Sequence, residues 1–125
     1  MKIIKTSKAP APIGPYNQAI IANGFIFISG QIAIQPENEE LLQGTIEEET
    51  ERVMKNLGEI LKEAGSDFNH VVKCSIFVKD MGNFGKVNEV YGRYFSENAP
   101  ARETVEVSDL PKSVNVEISC IAATS

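Results

Sequence analysis

Arg102, in the run Pro100-Ala101-Arg102-Glu103-Thr104-Val105, and Glu117, in Val114-Asn115-Val116-Glu117-Ile118-Ser119-Cys120, are the side chains of this sequence best suited to chemistry. Arginine is a permanent cation with a planar fork of donors, and at the mouth of a strand it can grip a carboxylate through two parallel hydrogen bonds. Glu117 is the one carboxylate on the strand that ends the chain. A carboxylate near such a grip can orient or deprotonate a water. Together they point to water chemistry on a small organic acid. An Arg and a Glu on neighbouring strands more often form a structural ion pair than a catalytic one, so the pair needs support from other residues.

The elements that must position them can be read from local signals. Residues 8 to 15 hold Pro10, Pro12, Gly14 and Pro15 and read as an irregular extended loop. Gln18 to Ala22 and Phe25 to Gly30 flank Asn23-Gly24, a pair that tolerates positive φ at both positions, which predicts a β-hairpin. Thr45 and Glu48 form a capping box. Behind it, Ile46, Val53, Met54, Leu57, Ile60, Leu61 and Ala64 keep helical spacing until Gly65 can close the end. This predicts an amphipathic helix of about five turns lying across a sheet.

Val71 to Lys79 alternates, with Val72, Cys74, Ile76 and Val78 on one face and Lys73, Ser75, Phe77 and Lys79 on the other. A second helix is predicted from about Asn83 to Phe95, with Phe84, Asn88, Tyr91 and Phe95 along one stripe. Asn88 is then an amide in an apolar row: a solvent-facing or backbone-tied boundary residue, or a pocket wall turned to a ligand. Thr104 to Ser108 and Val114 to Ala122 read as two more strands, the last with Val114, Val116, Ile118, Cys120 and Ala122 on its apolar face. The sum is a single α+β domain over residues 1–125, a sheet of about five or six strands with two helices against one side. On the other side, Lys73, Ser75, Phe77, Asn115, Glu117, Ser119 and Ile121 are too polar for a covered core and too mixed for a solvated face, which suggests subunit contact.

Composition removes several classes of function. With 125 residues, 42% hydrophobic and 23% charged, the chain is an ordinary globular domain. A net charge of -5 and a pI near 4.9 argue against a nucleic-acid partner, because such binding draws on clustered basic side chains. Only Ile3-Ile4 separates Lys2 from Lys5, too little for a secretory signal. Phe25 to Ile28, the longest apolar run, is too short to cross a bilayer, so a soluble, cytoplasmic protein without a membrane partner is expected. Cys74 and Cys120 read as buried reduced thiols. His70 has no ligand at metal-binding spacing, and no metal motif is present.

Ala11 to Ala19, Ile28 to Ile32, Phe77 to Asp80 and Val87 to Tyr91, followed by the Pro-Ala-Arg and Val-Glu-Ile segments, resemble from end to end the reactive intermediate deaminase A (RidA, formerly YjgF) family. The resemblance implies a homotrimer of chorismate-mutase-like subunits around a central barrel, with a pocket in each cleft between neighbours. It implies hydrolysis of enamines and imines such as 2-iminobutanoate and 2-iminopropanoate to 2-oxo acids and ammonia, with no cofactor.

By the same resemblance, Arg102 holds the substrate carboxylate and Glu117 places the attacking water. Ser29, Gly30, Asn88, Tyr16 and Thr104 become substrate-binding residues, Tyr16 closing the cleft from an adjacent subunit and Thr104 acting through its backbone amide. Two positions depart from the family pattern: Thr104 stands where many members carry cysteine, and Glu103 where a small residue is common. Alternation turns Glu103 away from Arg102, although a nearby negative charge would weaken anion binding. Two other functions compete: a non-catalytic trimeric binder of small carboxylates or 2-oxo acids, using Arg102 alone, and an endoribonuclease or translation inhibitor, against which the acidic balance argues.

Overall fold

The computed structural model describes residues 1–95 and 97–125. Its main sheet has six strands in the order β1 (Lys2–Ile4), β2 (Ala19–Ala22), β3 (Phe25–Gln31), β8 (Val116–Ala123), β6 (Val71–Val78) and β7 (Ala101–Glu106). All neighbours are antiparallel except β6 and β7, so the sheet is mixed. A two-stranded ribbon, β4 (Ile34–Gln35) with β5 (Glu40–Leu41), lies outside it. Two α-helices, α1 (Ile46–Glu63) and α2 (Phe84–Gly92), and three short 3-10 turns are found among the described residues.

The hairpin forms where Asn23 and Gly24 place it, with φ of 51° and 81° at the two turn residues. Helix α1 starts at the capping box, Glu48 N–H donating to Thr45 Oγ1 and Thr45 N–H to Glu48 Oε1. Three acidic side chains in its first turn face the positive end of the helix dipole. It ends in a Schellman motif: Gly65 takes a φ of 77°, Gly65 N–H donates to Lys62 O and Ser66 N–H to Leu61 O. Val53, Met54, Leu57, Ile60 and Leu61 are fully buried. Each contributes about 1.5 to 3 kcal/mol of transfer free energy against the sheet.

Four expectations need correction. Lys2–Ile4, not foreseen as a strand, pairs with β2 at the sheet edge. Val72 does not face the core: one extra residue in β6 opposite β8 makes a bulge that buries Val71 and leaves Val72 43% exposed. The strand holding Arg102 starts at Ala101, earlier than Thr104, because parallel pairing with β6 already begins at Lys73 opposite Ala101. The second helix is shorter than expected, beginning at Phe84 after a 3-10 turn over Met81–Asn83 and ending at Gly92.

Both helices pack on one face, where Ile26, Ile28, Ile76, Val116 and Ile118 are buried. The opposite face of the sheet carries no layer of this chain among the described residues, and Phe25, Phe27 and Val105 are 40 to 46% exposed. Asn115, expected on that open face, turns back to α1 instead. Its side-chain and backbone N–H groups donate to Glu49, as does Val116 N–H, at 2.8 to 3.2 Å. Glu49 is a buried carboxylate whose acceptors are filled by the start of β8. Glu49→Leu strands those donors and is expected to cost about 2 to 4 kcal/mol of unfolding free energy, with Glu49→Gln losing less, as read from denaturant midpoints.

Candidate active site

Register on β6 decides how Arg102 and Glu117 lie. Arg102 is the Cα partner of Cys74, whereas Glu117 is the partner of Phe77, three residues further along the same strand. Residues paired across strands point to the same face and odd steps along a strand reverse it. Arg102 therefore stands on the helix-covered side and Glu117 on the open side. Within one chain the two occupy separate hollows, so the structure excludes a structural ion pair between them.

The Arg102 hollow, about 440 Å³, is bounded by Asn88, Tyr91, Phe95, Ala99 and Pro100. The stripe Phe84, Asn88, Tyr91 supplies its wall. Arg102 Nη1 donates to Asn88 Oδ1 at 2.6 Å, and the guanidinium carbon lies 5.1 Å from the Tyr91 ring centroid and 5.5 Å from that of Phe84. Cation–π contact and an amide acceptor fix the cation without neutralising it. Among the described residues Arg102 has no acidic partner. Asn88 is exposed, and its carbonyl is committed to Arg102. Burial, the neighbouring Cys74 thiol adding to it, pushes the Tyr91 phenol up, so this ring stays neutral beneath the cation.

Glu103 alternates to the other face, as expected, where Ser75 Oγ donates to it and Lys73 Nζ sits 2.9 Å away. The Ser75 hydrogen bond first, then Lys73, hold its carboxyl below the usual range. Its charge is thus committed to partners on the side of the sheet away from the Arg102 hollow. Thr104, two residues on from Arg102 and paired with Ile76, shares the helix-side face. Its hydroxyl is buried without a hydrogen-bond partner among the described residues.

The Glu117 hollow is larger, about 550 Å³, and is lined by Tyr16, Ser29 and Gly30 together with Gln18 and Lys112. An extra residue in β3 opposite β8, at Ser29-Gly30, breaks the ladder there and brings Gly30 against Glu117. A Cβ at position 30 would come within 2.8 Å of Glu117 Cδ, so glycine is needed to seat the carboxylate. Burial alone acts on Glu117 and raises its pKa above the ordinary carboxylate value. Ser29 Oγ donates to Asn17 O at 2.6 Å, leaving its lone pairs for a ligand. Tyr16 is 49% exposed, and its hydroxyl accepts from Ile13 N–H at 3.2 Å. The buried Gln18 amide ties the loop down, accepting from Thr6 N–H and donating to backbone carbonyls at Thr6 and Pro10.

Tyr16, expected to close the cleft from an adjacent subunit, lines the same hollow as Glu117 of its own chain. The sequence residues thus sort into two groups: Tyr16, Ser29, Gly30 and Glu117 line one hollow, Arg102 and Asn88 the other, and Thr104 shares the strand face of Arg102. Sequence reasoning missed Gln18, Lys112 and the role of Tyr91. The Leu-Pro-Lys-Ser turn was the available signal for Lys112, since it precedes the Glu117 strand directly. Chemically, one hollow offers a fixed cation for an anion, and the other a proton acceptor beside polar groups.

Comparison with known proteins is consistent along the whole chain. Residues 6–124 match the family described as Endoribonuclease L-PSP. A RutC family protein of Synechocystis is 54% identical over 98% of this chain and 95% of its own length. The mouse 2-iminobutanoate/2-iminopropanoate deaminase is 50% identical over 97% of this chain and 90% of its own. The crystal structure of a Thermotoga maritima protein superposes with a TM-score of 0.97 at 49% identity, covering 100% of this chain and 98% of that one. Escherichia coli TdcF with bound serine gives a TM-score of 0.95 at 34% identity, covering 100% of both chains.

Proposed function

Since the chain belongs to the RidA family, described also as Endoribonuclease L-PSP, we propose that it hydrolyses 2-imino acids, 2-iminobutanoate and 2-iminopropanoate among them, to 2-oxo acids and ammonia. The observation that carries this reading is the guanidinium of Arg102, held on aromatic faces and an amide with no acid among the described residues to neutralise it. Such a cation is prepared for an incoming carboxylate. Relatives named as deaminases of these two imines support the same substrate class.

The working site is assembled between copies. One copy contributes Arg102, Asn88 and Thr104, and its neighbour contributes Tyr16, Ser29, Gly30 and Glu117, in a homotrimer of chorismate-mutase-like subunits. Two features support that arrangement: the half-sites lie on opposite faces of one chain, and the uncovered face exposes Phe25, Phe27 and Val105. A head-to-tail contact of this kind closes into a ring.

In the reaction an enamine first takes a proton at carbon and gives one up from nitrogen, becoming the imine. Arg102 fixes the C1 carboxylate, and ionised Glu117 takes a proton from water as its oxygen bonds to C2 and the C=N pair moves to nitrogen. Glu117 returns that proton to nitrogen. The hydroxyl proton then passes through Glu117 to the nitrogen as the C–N bond breaks, so that ammonia leaves and the C2–O bond becomes the carbonyl. The raised pKa of Glu117 suits a group that must both accept and donate.

The test is release of 2-oxobutanoate from threonine by a threonine dehydratase, in buffer where spontaneous imine hydrolysis is slow. Added protein is expected to accelerate release in proportion to its amount. No acceleration would favour the carboxylate binder. RNA cleavage that persists in Arg102→Ala would mark a contaminating nuclease.

A further inference from the structure

The hollow around Glu117 contains a cation that this hydrolysis does not use. Lys112 lines it, on the turn between β7 and β8. Its backbone lies at φ 56° and ψ 20°, and Ser113 follows at φ 54°. This is the left-handed region that residues with a Cβ avoid, and two in succession are held there against local preference. Such strain gathers where surrounding structure presents a side chain for a purpose. Lys112 forms no ion pair among the described residues. Nor does it pair with Glu117, whose carboxyl responds to burial alone. The lining therefore includes an acid and an exposed lysine that are not paired with each other. The hollow of the single chain, about 550 Å³, falls within the ordinary range of ligand pockets.

We propose that Lys112 is a specificity-determining residue that receives a second, distal carboxylate, extending the substrate range to 2-imino acids derived from dicarboxylic amino acids. This rests on the deaminase reading of the same site: Arg102 of one copy takes the C1 carboxylate, Glu117 serves the water at C2, and Lys112 meets the end of the side chain. Lysine suits that task, because a point charge on a flexible stem follows a distal group whose position varies with chain length. A local cation also matters because the chain's net charge of -5 opposes the approach of a dianion. The chemistry is unchanged: 2-iminoglutarate and water give 2-oxoglutarate and ammonia, and the distal carboxylate stays intact.

The experiment compares the parent protein with Lys112→Asn, since asparagine tolerates left-handed backbone and keeps the turn. Calorimetry gives affinities for 2-oxoglutarate and 2-oxobutanoate. Kinetics give kcat/KM for 2-iminoglutarate and 2-iminobutanoate, made in situ from L-glutamate and L-2-aminobutyrate by amino-acid oxidases. The dicarboxylate-to-monocarboxylate ratio is expected to fall about tenfold or more in both measurements, and Lys112→Arg to recover most of it. A ratio that stays within about twofold overturns the assignment. Lys112→Gly, which is free of strain at this φ, replaces the asparagine variant if the latter does not fold. Ratio loss in binding without any imine turnover would sink the deaminase reading and leave the Lys112 assignment standing. Turnover with an unchanged ratio would do the reverse.

Discussion

Arg102→Ala is expected to lower kcat/KM for 2-iminobutanoate by about thirty- to several-thousandfold, equivalent to about 2 to 5 kcal/mol of lost charge-assisted hydrogen bonding in a desolvated site. Arg102 lies exposed on edge strand β7, so its removal should leave unfolding free energy nearly unchanged. Arg102→Lys should recover little, because an ammonium cannot present two parallel donors or stack on Tyr91 and Phe84 in the same way. Steady-state kinetics beside thermal melting separate these effects. The same variant tests the shared site: Arg102→Ala protein, dissociated and reassembled with Glu117→Gln protein, should regain activity. Random assortment of two half-sites restores about a quarter of them. No recovery in mixed assemblies would contradict a site built from two copies.

Glu117→Gln should reduce kcat by about a hundred- to ten-thousandfold, the range attributed to a positioned acid–base group, while affinity for a 2-oxo acid persists. Gln can orient a water but cannot accept its proton. Because burial raises the Glu117 pKa, the acid limb of the parent's kcat/KM profile should lie above the ordinary carboxylate range, and the residual activity of the variant should lack that limb. Stability follows the same sign. A carboxyl whose pKa is raised in the folded state favours folding most when protonated, and that advantage disappears as pH rises through its folded value. At neutral pH the glutamine variant should therefore be at least as stable as the parent. The difference should vanish below the unfolded carboxylate pKa, where both side chains are neutral. Denaturant titrations at acidic and neutral pH measure it.

The parts of this molecule legible in its sequence are those fixed by neighbours in the chain. Asn23-Gly24 specifies its hairpin and Thr45 with Glu48 specifies a helix start because each signal is complete within a few residues. Val72 misleads because a bulge adds one residue to alternation without leaving a mark on it. Glu49 is hidden among acids that the helix dipole alone would explain, and its burial depends on Asn115, 66 positions away. The proposed catalytic pair was visible by type, yet its division between two faces depends on β6 lying between β7 and β8. Strand order of that kind is set by long-range pairing, which periodicity does not encode. The stripe through Asn88 was legible, but its purpose appears only with Arg102 laid across it.

With the shared site proposed above, placing Arg102 and Glu117 on opposite sides of one sheet would also make catalysis sensitive to dilution. On that proposal an isolated copy holds every necessary side chain and no complete reaction centre. Rate per mole of protein should consequently fall at low concentration, so that initial velocity bends upward with added enzyme where a self-sufficient monomer would give a straight line through the origin.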